Sequence, residues 1–469
     1  MLLSRRAALI TLLSPYLRPF PSELSSTTPG DDASREQDVG PTRVLNVRQY
    51  GATGDGVHDD TTAFTKGIDA ASQGAGAILY VPAGRYLLAP ITSSPHTVRI
   101  VGDGPASALV SKGSTPVLEF NKAENVVLED LAIVGQKGSQ VGDFALLAAI
   151  GCTAIAFTNV TIRSSGGDGA HLVGAQRIQV QGSSFEDCGR FGLRVTDTPT
   201  LGYGRQIVRC LARGNGAHGI LLQRFAGADV ESNLVVENRS QGIHATDGSD
   251  WLRVFNNRCT KNGSQPIEHG IYILRCRGVA VQGNTSFANA GDGILLRECN
   301  DSVVVGNICT DNHRHGISIQ RIDDPKSDAL VAAANVGARN TESGVIATGV
   351  SRSIIGMNVA VDNGRFGVGG YPGPTGGVTL LAISCNLLSD NSKAGIAIAG
   401  SDSAAAVGNV VRTSGDAPAL SVHDFETHHV AQVRVAGNVE VSTQSPSVTR
   451  DLKGAANLLD HISSDAPIH

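Results

Sequence analysis

The sequence predicts an all-β protein: a single-stranded, right-handed parallel β-helix with one capping helix at its N-terminal end. Three observations carry that prediction. Gly followed by Ile or Val returns at a near-fixed interval, at Gly219, Gly242, Gly270, Gly293, Gly316, Gly344, Gly367 and Gly395, in steps of 23 or 28 residues. Asn recurs at set offsets from those glycines, at Asn233, Asn284, Asn307, Asn358 and Asn409, and again at Asn238, Asn289, Asn312 and Asn363. Between them lie short runs rich in Val, Ile and Leu, such as Ile220–Leu222 and Val279–Val281, separated by Gly, Asn, Asp and Ser.

A period of this length marks a repeat architecture in which each unit packs only against its neighbours. The composition within a period is that of strands and turns, and no helical spacing interrupts it. Three short strands and three turns then make one coil, and adjacent coils sit about 4.8 Å apart. Alternation points Ile271 and Ile273 inward and Tyr272 outward. The repeated Asn residues suit left-handed turns and can bond one another when stacked, so they are read as structural, like the glycines.

The chain divides into five stretches. Residues 1–20 open with Ser4-Arg5-Arg6 ahead of an apolar run and resemble a twin-arginine export signal. Residues 21–43 are rich in Ser, Thr, Pro, Asp and Glu and read as a linker. Residues 44–97 form an N-terminal cap, where Asp59 or Asp60 starts a helix with Phe64, Ile68 and Ala71 on one face. Residues 98–438 are the β-helix, and residues 439–469 a C-terminal cap or tail. No segment nears 18 consecutive apolar residues, so no membrane span is expected.

Composition narrows the function classes. The net charge of −5 argues against nucleic acid or an anionic membrane as partner. Arg outnumbers Lys 30 to 8, and its planar fork suits carboxylates, as in an acidic polysaccharide. The eight Cys include no C-x-x-C pair, so no metal motif is present and no cofactor is expected. Cys276 and Cys299 share one phase and read as buried thiols rather than a disulfide.

The most specific local motif is Tyr50-Gly51-Ala52-Thr53-Gly54-Asp55-Gly56, followed by Asp59-Asp60-Thr61 and then Val81-Pro82-Ala83-Gly84-Arg85-Tyr86. It resembles the opening segment of the pectate-lyase-like superfamily, which includes polygalacturonase-like and rhamnogalacturonase-like proteins. Together with the export-like start, the chain also resembles twin-arginine-translocated repeat proteins of unassigned activity. The resemblance implies a right-handed β-helix and leaves the reaction open, because function resides in the site rather than the fold.

Aligning coils on their glycines gives columns along the axis. The position before Gly holds Asp168, Phe191, His218, Gln241, His269, Asp292, His315, Ser343 and Phe366. Two after Gly stand His171, Arg194, Leu221, His244, Tyr272, Leu295, Ser318 and Ile346. Both columns are expected on one outward face, polar up to His315 and apolar beyond Ser343. Five after Gly, the charges of Asp197, Arg224, Asp247, Arg275, Glu298 and Arg321 alternate, which reads as a ladder of ion pairs. Insertions at Thr198–Arg205, Ile322–Ser327 and Gly370–Gly376, and another at Ser264–Glu268, are expected to wall a groove for a linear polymer.

Two chemistries fit such a face. In polygalacturonase-like enzymes acidic residues and a His-Gly stand on successive coils. Asp292-Gly293-Ile294 and His315-Gly316-Ile317-Ser318-Ile319 resemble that pattern, but Gly291-Asp292 replaces the family's Asp-Asp and Glu268-His269-Gly270 its Asn-Thr-Asp. Hydrolysis needs two carboxylates, and only Asp292 with Glu268 offers a pair. Elimination or epimerisation beside a uronate carboxylate needs a base, an acid and a cation. His244, His269, Tyr272, Asp292 and His315 are the candidate catalytic residues. Asp168, His171, Arg194 and His218 are the candidate substrate-binding residues. The expected function is a carbohydrate-active enzyme, lyase or epimerase before hydrolase, with a non-catalytic polysaccharide-binding β-helix as the rival from another class.

Overall fold

The computed structural model describes residues 43–461, apart from residues 74–75, 114, 139–141, 199–203, 323–328, 375–377, 414–416, 426–427, 429, 431, 443–447 and 452–456. The export-like start and nearly all of the linker therefore lie outside the described residues.

The chain winds as a right-handed parallel β-helix. One ribbon of 15 strands carries the Gly-Ile segments, and a second of 31 strands takes up the other two sides of each coil. In the first, Ile243–Thr246, Ile271–Leu274, Ile294–Arg297 and Ile317–Gln320 stack in parallel. Their register aligns Ile243, Ile271, Ile294 and Ile317 one above another. Residues at equal phase are thus neighbours across a strand spacing of about 4.8 Å. Ile271, Ile273, Ile294 and Leu296 point into one continuous apolar core, while His244 and Tyr272 face out.

The capping helix runs Thr61–Gln73 and buries Ala63, Phe64, Ile68 and Ala71 over the open end of the stack. Phe64 meets Tyr86 edge to face, with centroids 5.2 Å apart. Gly67 lets the helix lie close, since a Cβ there would come within 2.8 Å of Leu79 Cδ1. The acidic residues ahead of the helix are occupied by turn N–H groups. Asp60 accepts from Thr53 N at 2.7 Å and Gly54 N at 3.1 Å, and Asp59 from Thr61 N at 3.0 Å. Coiling begins earlier than the residue 97/98 boundary read from sequence: Val44–Asn46 already pairs with Ile78–Val81, and Asp55–Asp59 with Gly84–Leu88. At the far end Val439–Ser442, Val448–Asp451 and Asn457–His461 each pair with the coil before, so the stack continues through His461.

Two internal columns of Asn run most of the length. One passes through Asn233, Asn257, Asn284, Asn307, Asn335, Asn358, Asn386, Asn409 and Asn438; the other through Asn215, Asn238, Asn262, Asn289, Asn312, Asn340, Asn363 and Asn391. Asn307 typifies them. Its Oδ1 accepts from both the backbone N and Nδ2 of Asn284, and its Nδ2 donates to Val281 O and to Asn335 Oδ1. All are buried. The eight cysteines are free thiols, and burial pushes Cys299 up to about 12.

The charged column stands at left-handed residues, with φ of 56° at Asp197, 55° at Asp247 and 52° at Arg275. Arg224 pairs with Asp197, and Arg275 with Asp247 at 3.0 Å. Glu298 accepts from Ile322 N at 2.6 Å. The column is thus a set of pairs with partly exposed members, and its contribution to stability is small.

Replacing Asn307 by Ala leaves the Asn284 amide and the Val281 carbonyl buried without their partner. Each such group costs about 1–3 kcal/mol, so N307A is expected to lower unfolding free energy by roughly 3 kcal/mol. Urea denaturation checks this, and an unchanged midpoint would contradict the ladder's structural role.

Candidate functional site

The position before each glycine is set by a backbone need. At Phe191, Gln241, His269, Asp292, His315 and Ser343 the N–H is met by a side chain of the coil before, whereas Asp168 N donates to Phe144 O at 2.7 Å. Gln241 N donates to His218 Nδ1 at 3.2 Å, Asp292 N to His269 Nδ1 at 2.9 Å, His315 N to Asp292 Oδ1 at 3.0 Å, and Ser343 N to His315 Nδ1 at 3.1 Å. His269 N likewise donates to Gln241 Oε1, and Phe191 N to Asp168 Oδ1 at 3.4 Å.

This corrects the expected orientation. Asp168, Gln241, His269, Asp292 and His315 are buried rather than outward, because their acceptor atoms must reach the next coil's backbone. His218 and Phe191 in this series are partly buried. Asp292 and His315 therefore lie beneath the face. The pair of Asp292 with Glu268 does not suit hydrolysis: Asp292 is fully buried, and Glu268 Oε2 accepts from Ser264 Oγ at 3.1 Å and Gln265 N at 2.7 Å. Those bonds close the Ser264–Glu268 insertion beside His269. Gln241 Nε2 ties the same loop down through Ile267 O at 3.2 Å. The other walls fall mostly on residues 199–203, 323–328 and 375–377, outside the described residues.

The face carries a charged cluster and a run of rings, joined at Phe191, whose ring lies under Arg190 and Arg194. In the first, Arg194 pairs across the strands with His171. Arg190 Nε and Arg194 Nη1 lie 3.4 and 3.7 Å from Asp168. Burial raises the Asp168 carboxyl and outweighs the two guanidinium groups. His171 Nε2 lies 3.1 Å from Thr196 Oγ1, and burial, aided by Arg194 and Arg190, lowers the ring to about 4. Arg194 Nε is buried with no acceptor among the described residues.

The second cluster is a run of rings. Phe191 and His218 have centroids 5.2 Å apart, and His218 meets His244 edge-on at 4.9 Å. His244 stacks on Tyr272 at 4.8 Å with planes 9° apart, and Tyr272 meets His269 at 5.2 Å. Burial lowers His218 to about 3 and His244 to about 4, and also lowers His269, so these rings are neutral near pH 7. Burial raises the Tyr272 phenol, while the charge and hydrogen bond of Arg297 oppose that shift.

Two groups were not singled out from the sequence. Arg297, four after its glycine, flanks Tyr272. Glu342, two before its glycine, accepts from His315 Nε2 at 3.0 Å, with Arg314 and Arg365 each 3.7 Å away. The hydrogen bond from His315 Nε2, with Arg314 and Arg365 nearby, holds the Glu342 carboxyl at about 2, despite burial. Glu268, Arg314, Glu342 and Arg365 share that phase, a signal the two tabulated columns did not include. No group of three or more His, Cys, Asp or Glu among the described residues is placed to hold a metal.

The fold and this face define a pectate-lyase-like β-helix. The family model described as rhamnogalacturonase A/epimerase, pectate lyase-like, matches residues 44–294, and the chain belongs to that family. A second model, of the periplasmic copper-binding protein NosD, matches residues 248–371. Mannuronan C5-epimerase AlgE5 of Azotobacter vinelandii is 24% identical over 280 residues, covering 55% of this chain and 26% of that protein. The pre-neck appendage protein of Bacillus phage phi29 is 25% identical over 325 residues, covering 64% of this chain and 33% of its own. The chain thus spans about a quarter to a third of these relatives' length. The solved A-module of mannuronan C-5 epimerase AlgE6 of Azotobacter vinelandii has 16% identity and a TM-score of 0.39, covering 90% of this chain and 100% of that one.

The Glu342 shift fixes the sign of a pH effect. A carboxyl lowered from 4.5 to about 2 contributes stability that is present above pH 4.5 and lost as pH falls toward 2. The stability difference between the wild-type chain and E342Q is expected to shrink over that window in chemical denaturation at stepped pH. A constant difference would remove the His315–Glu342 interaction as its source.

Proposed function

We propose that this chain is an exported carbohydrate-active enzyme working on an acidic polysaccharide, by elimination or epimerisation rather than hydrolysis. One observation carries the reading. On one face Tyr272 is stacked on His244 and edge-on to His269, with Arg297 at its hydroxyl, while Arg194 Nε and His244 Nε2 are buried without acceptors among the described residues. A face rich in N–H donors suits a ligand rich in acceptors, carboxylates above all. A polymer lying along the axis would meet Arg194, and then the Tyr272 cluster three coils further on.

Proton removal beside a uronate carboxylate builds negative charge on the carboxylate oxygens, which donors and cations stabilise. In this reading Arg194 and Arg297 receive carboxylates. Tyr272 transfers the proton, with Arg297 steadying its phenolate form, His244 stands beside the reacting sugar, and His269 supports the Tyr272 ring from beneath. In elimination the electron pair expels the glycosidic oxygen, which takes the proton from Tyr272. In epimerisation Tyr272 keeps the abstracted proton and a solvent-derived proton is added to the opposite face of the same carbon. Asp168 orients Arg194 and Arg190, His171 flanks the polymer, His218 positions His244, and Asp292 and His315 support the face from beneath.

Membership in a family described by its rhamnogalacturonase and epimerase members supports the substrate class, as do relatives named mannuronan C5-epimerases. The Arg5-Arg6 start and the match to a model described as periplasmic support action outside the cytoplasm.

Incubation with a panel of polyuronates tests the proposal. Elimination yields an unsaturated, ultraviolet-absorbing product, and epimerisation yields exchange of the sugar's carbon-bound proton with deuterated solvent. Y272F is expected to lower kcat by about 10²-fold or more, the range of a proton-transfer group, with folding intact by circular dichroism. Polymer retention without either product would favour the binding-only alternative, and full activity of Y272F would remove Tyr272 from the chemistry.

A further inference from the structure

The hydrogen bonds around His218 and His244 run in one direction. The Gln241 amide can only donate, and it points at His218 Nδ1, 3.2 Å away. That nitrogen must therefore be the acceptor, and the single proton of the neutral ring sits on Nε2. His218 Nε2 lies 3.3 Å from His244 Nδ1. Having the proton, it donates, and His244 Nδ1 accepts. The one proton of His244 is thereby placed on Nε2. That atom is buried with no acceptor among the described residues.

The reverse arrangement is blocked at its first link. Moving the His244 proton to Nδ1 would require His218 Nε2 to accept, which puts a proton on His218 Nδ1 against the Gln241 N–H. Charging His218 meets the same obstacle. The perpendicular ring planes, 87° apart, suit this contact, and stacking on Tyr272 fixes the His244 plane from the other side.

We infer that the Gln241 amide and His218 lock His244 as an N–H donor, so that His244 Nε2 receives an anionic oxygen of the ligand, a carboxylate or an enolate, and does not take up a proton. His218 is accordingly a positioning residue rather than a ligand contact. A buried donor left without a partner has a free-energy cost, and such groups mark sites completed by something else. A neutral imidazole used as a donor keeps its hydrogen bond without a competing counter-ion. The assignment of the ligand as a polyuronate rests on the function proposed above; the tautomer does not.

The test uses the full chain labelled with ¹⁵N-histidine, with long-range proton–nitrogen spectra and the His244 signals identified by their loss in H244F. His244 is expected as a single tautomer, protonated on Nε2. H218F keeps an aromatic ring in the stack but removes the donor, and is expected to abolish that preference. H218Q, whose carbonyl can accept from Gln241 N and whose amide can donate to His244 Nδ1, is expected to restore it. Adding a polyuronate is expected to shift the Nε2 proton signal in the wild-type chain. A wild-type His244 protonated on Nδ1, or a tautomer unchanged in H218F, would overturn the lock. A locked tautomer whose Nε2 signal no polyuronate moves would overturn the anion-receiving role. Absence of turnover alongside a locked, polyuronate-sensitive His244 would instead count against the enzyme reading alone.

Discussion

Everything in this molecule depends on the buried Asn amides. A coil that turns three corners in so few residues leaves peptide groups at two of them without a strand partner. Buried peptide groups without partners are too costly to persist in number. An Asn side chain supplies two N–H donors and an oxygen with two acceptor sites. Between the ends of the two columns each oxygen takes a backbone and a side-chain N–H from the coil before, and each amide nitrogen bonds a carbonyl and the next Asn. Asp would lack the donors. The columns fix the phase of successive coils, so extra residues in a 28-residue coil must leave the stack at other turns.

The face depends on the same kind of need one corner away. From Gln241 to Ser343 the N–H before the glycine takes a side-chain acceptor from the coil before, and His, Asp and Gln answer that demand in turn. This explains why polar residues cluster there without exposure. It also sets the protonation of the rings above: every imidazole whose Nδ1 is taken by a backbone amide carries its proton on Nε2 when neutral. The electrostatics of the face are thus imposed by the scaffold, through hydrogen bonds that have only one allowed direction.

Much of this was legible in the sequence. The period of Gly-Ile segments gave the register, and the helix face of Phe64, Ile68 and Ala71 gave the cap. The grouping of His244, Tyr272 and His269 followed from phase alone. The Asn columns were legible only in part, because insertions ahead of the ladder move Asn335 and Asn386 away from the common offset after glycine. Alternation failed at the position before glycine, since that residue ends a turn and does not continue the strand's in-and-out pattern. Arg297 and Glu342 occupy phases adjacent to the two tabulated ones. The hydrogen-bond direction at His218 was not legible at all, because it requires knowing where a peptide N–H from the following coil points.

The uniform pitch of the columns has an evolutionary corollary. Because each coil offers its neighbours above and below the same pattern of amides, a genetic duplication or excision of one whole period would leave no mismatched seam. Chains of this kind can lengthen or shorten in discrete quanta, extending or trimming the face while the packing around Tyr272 stays untouched.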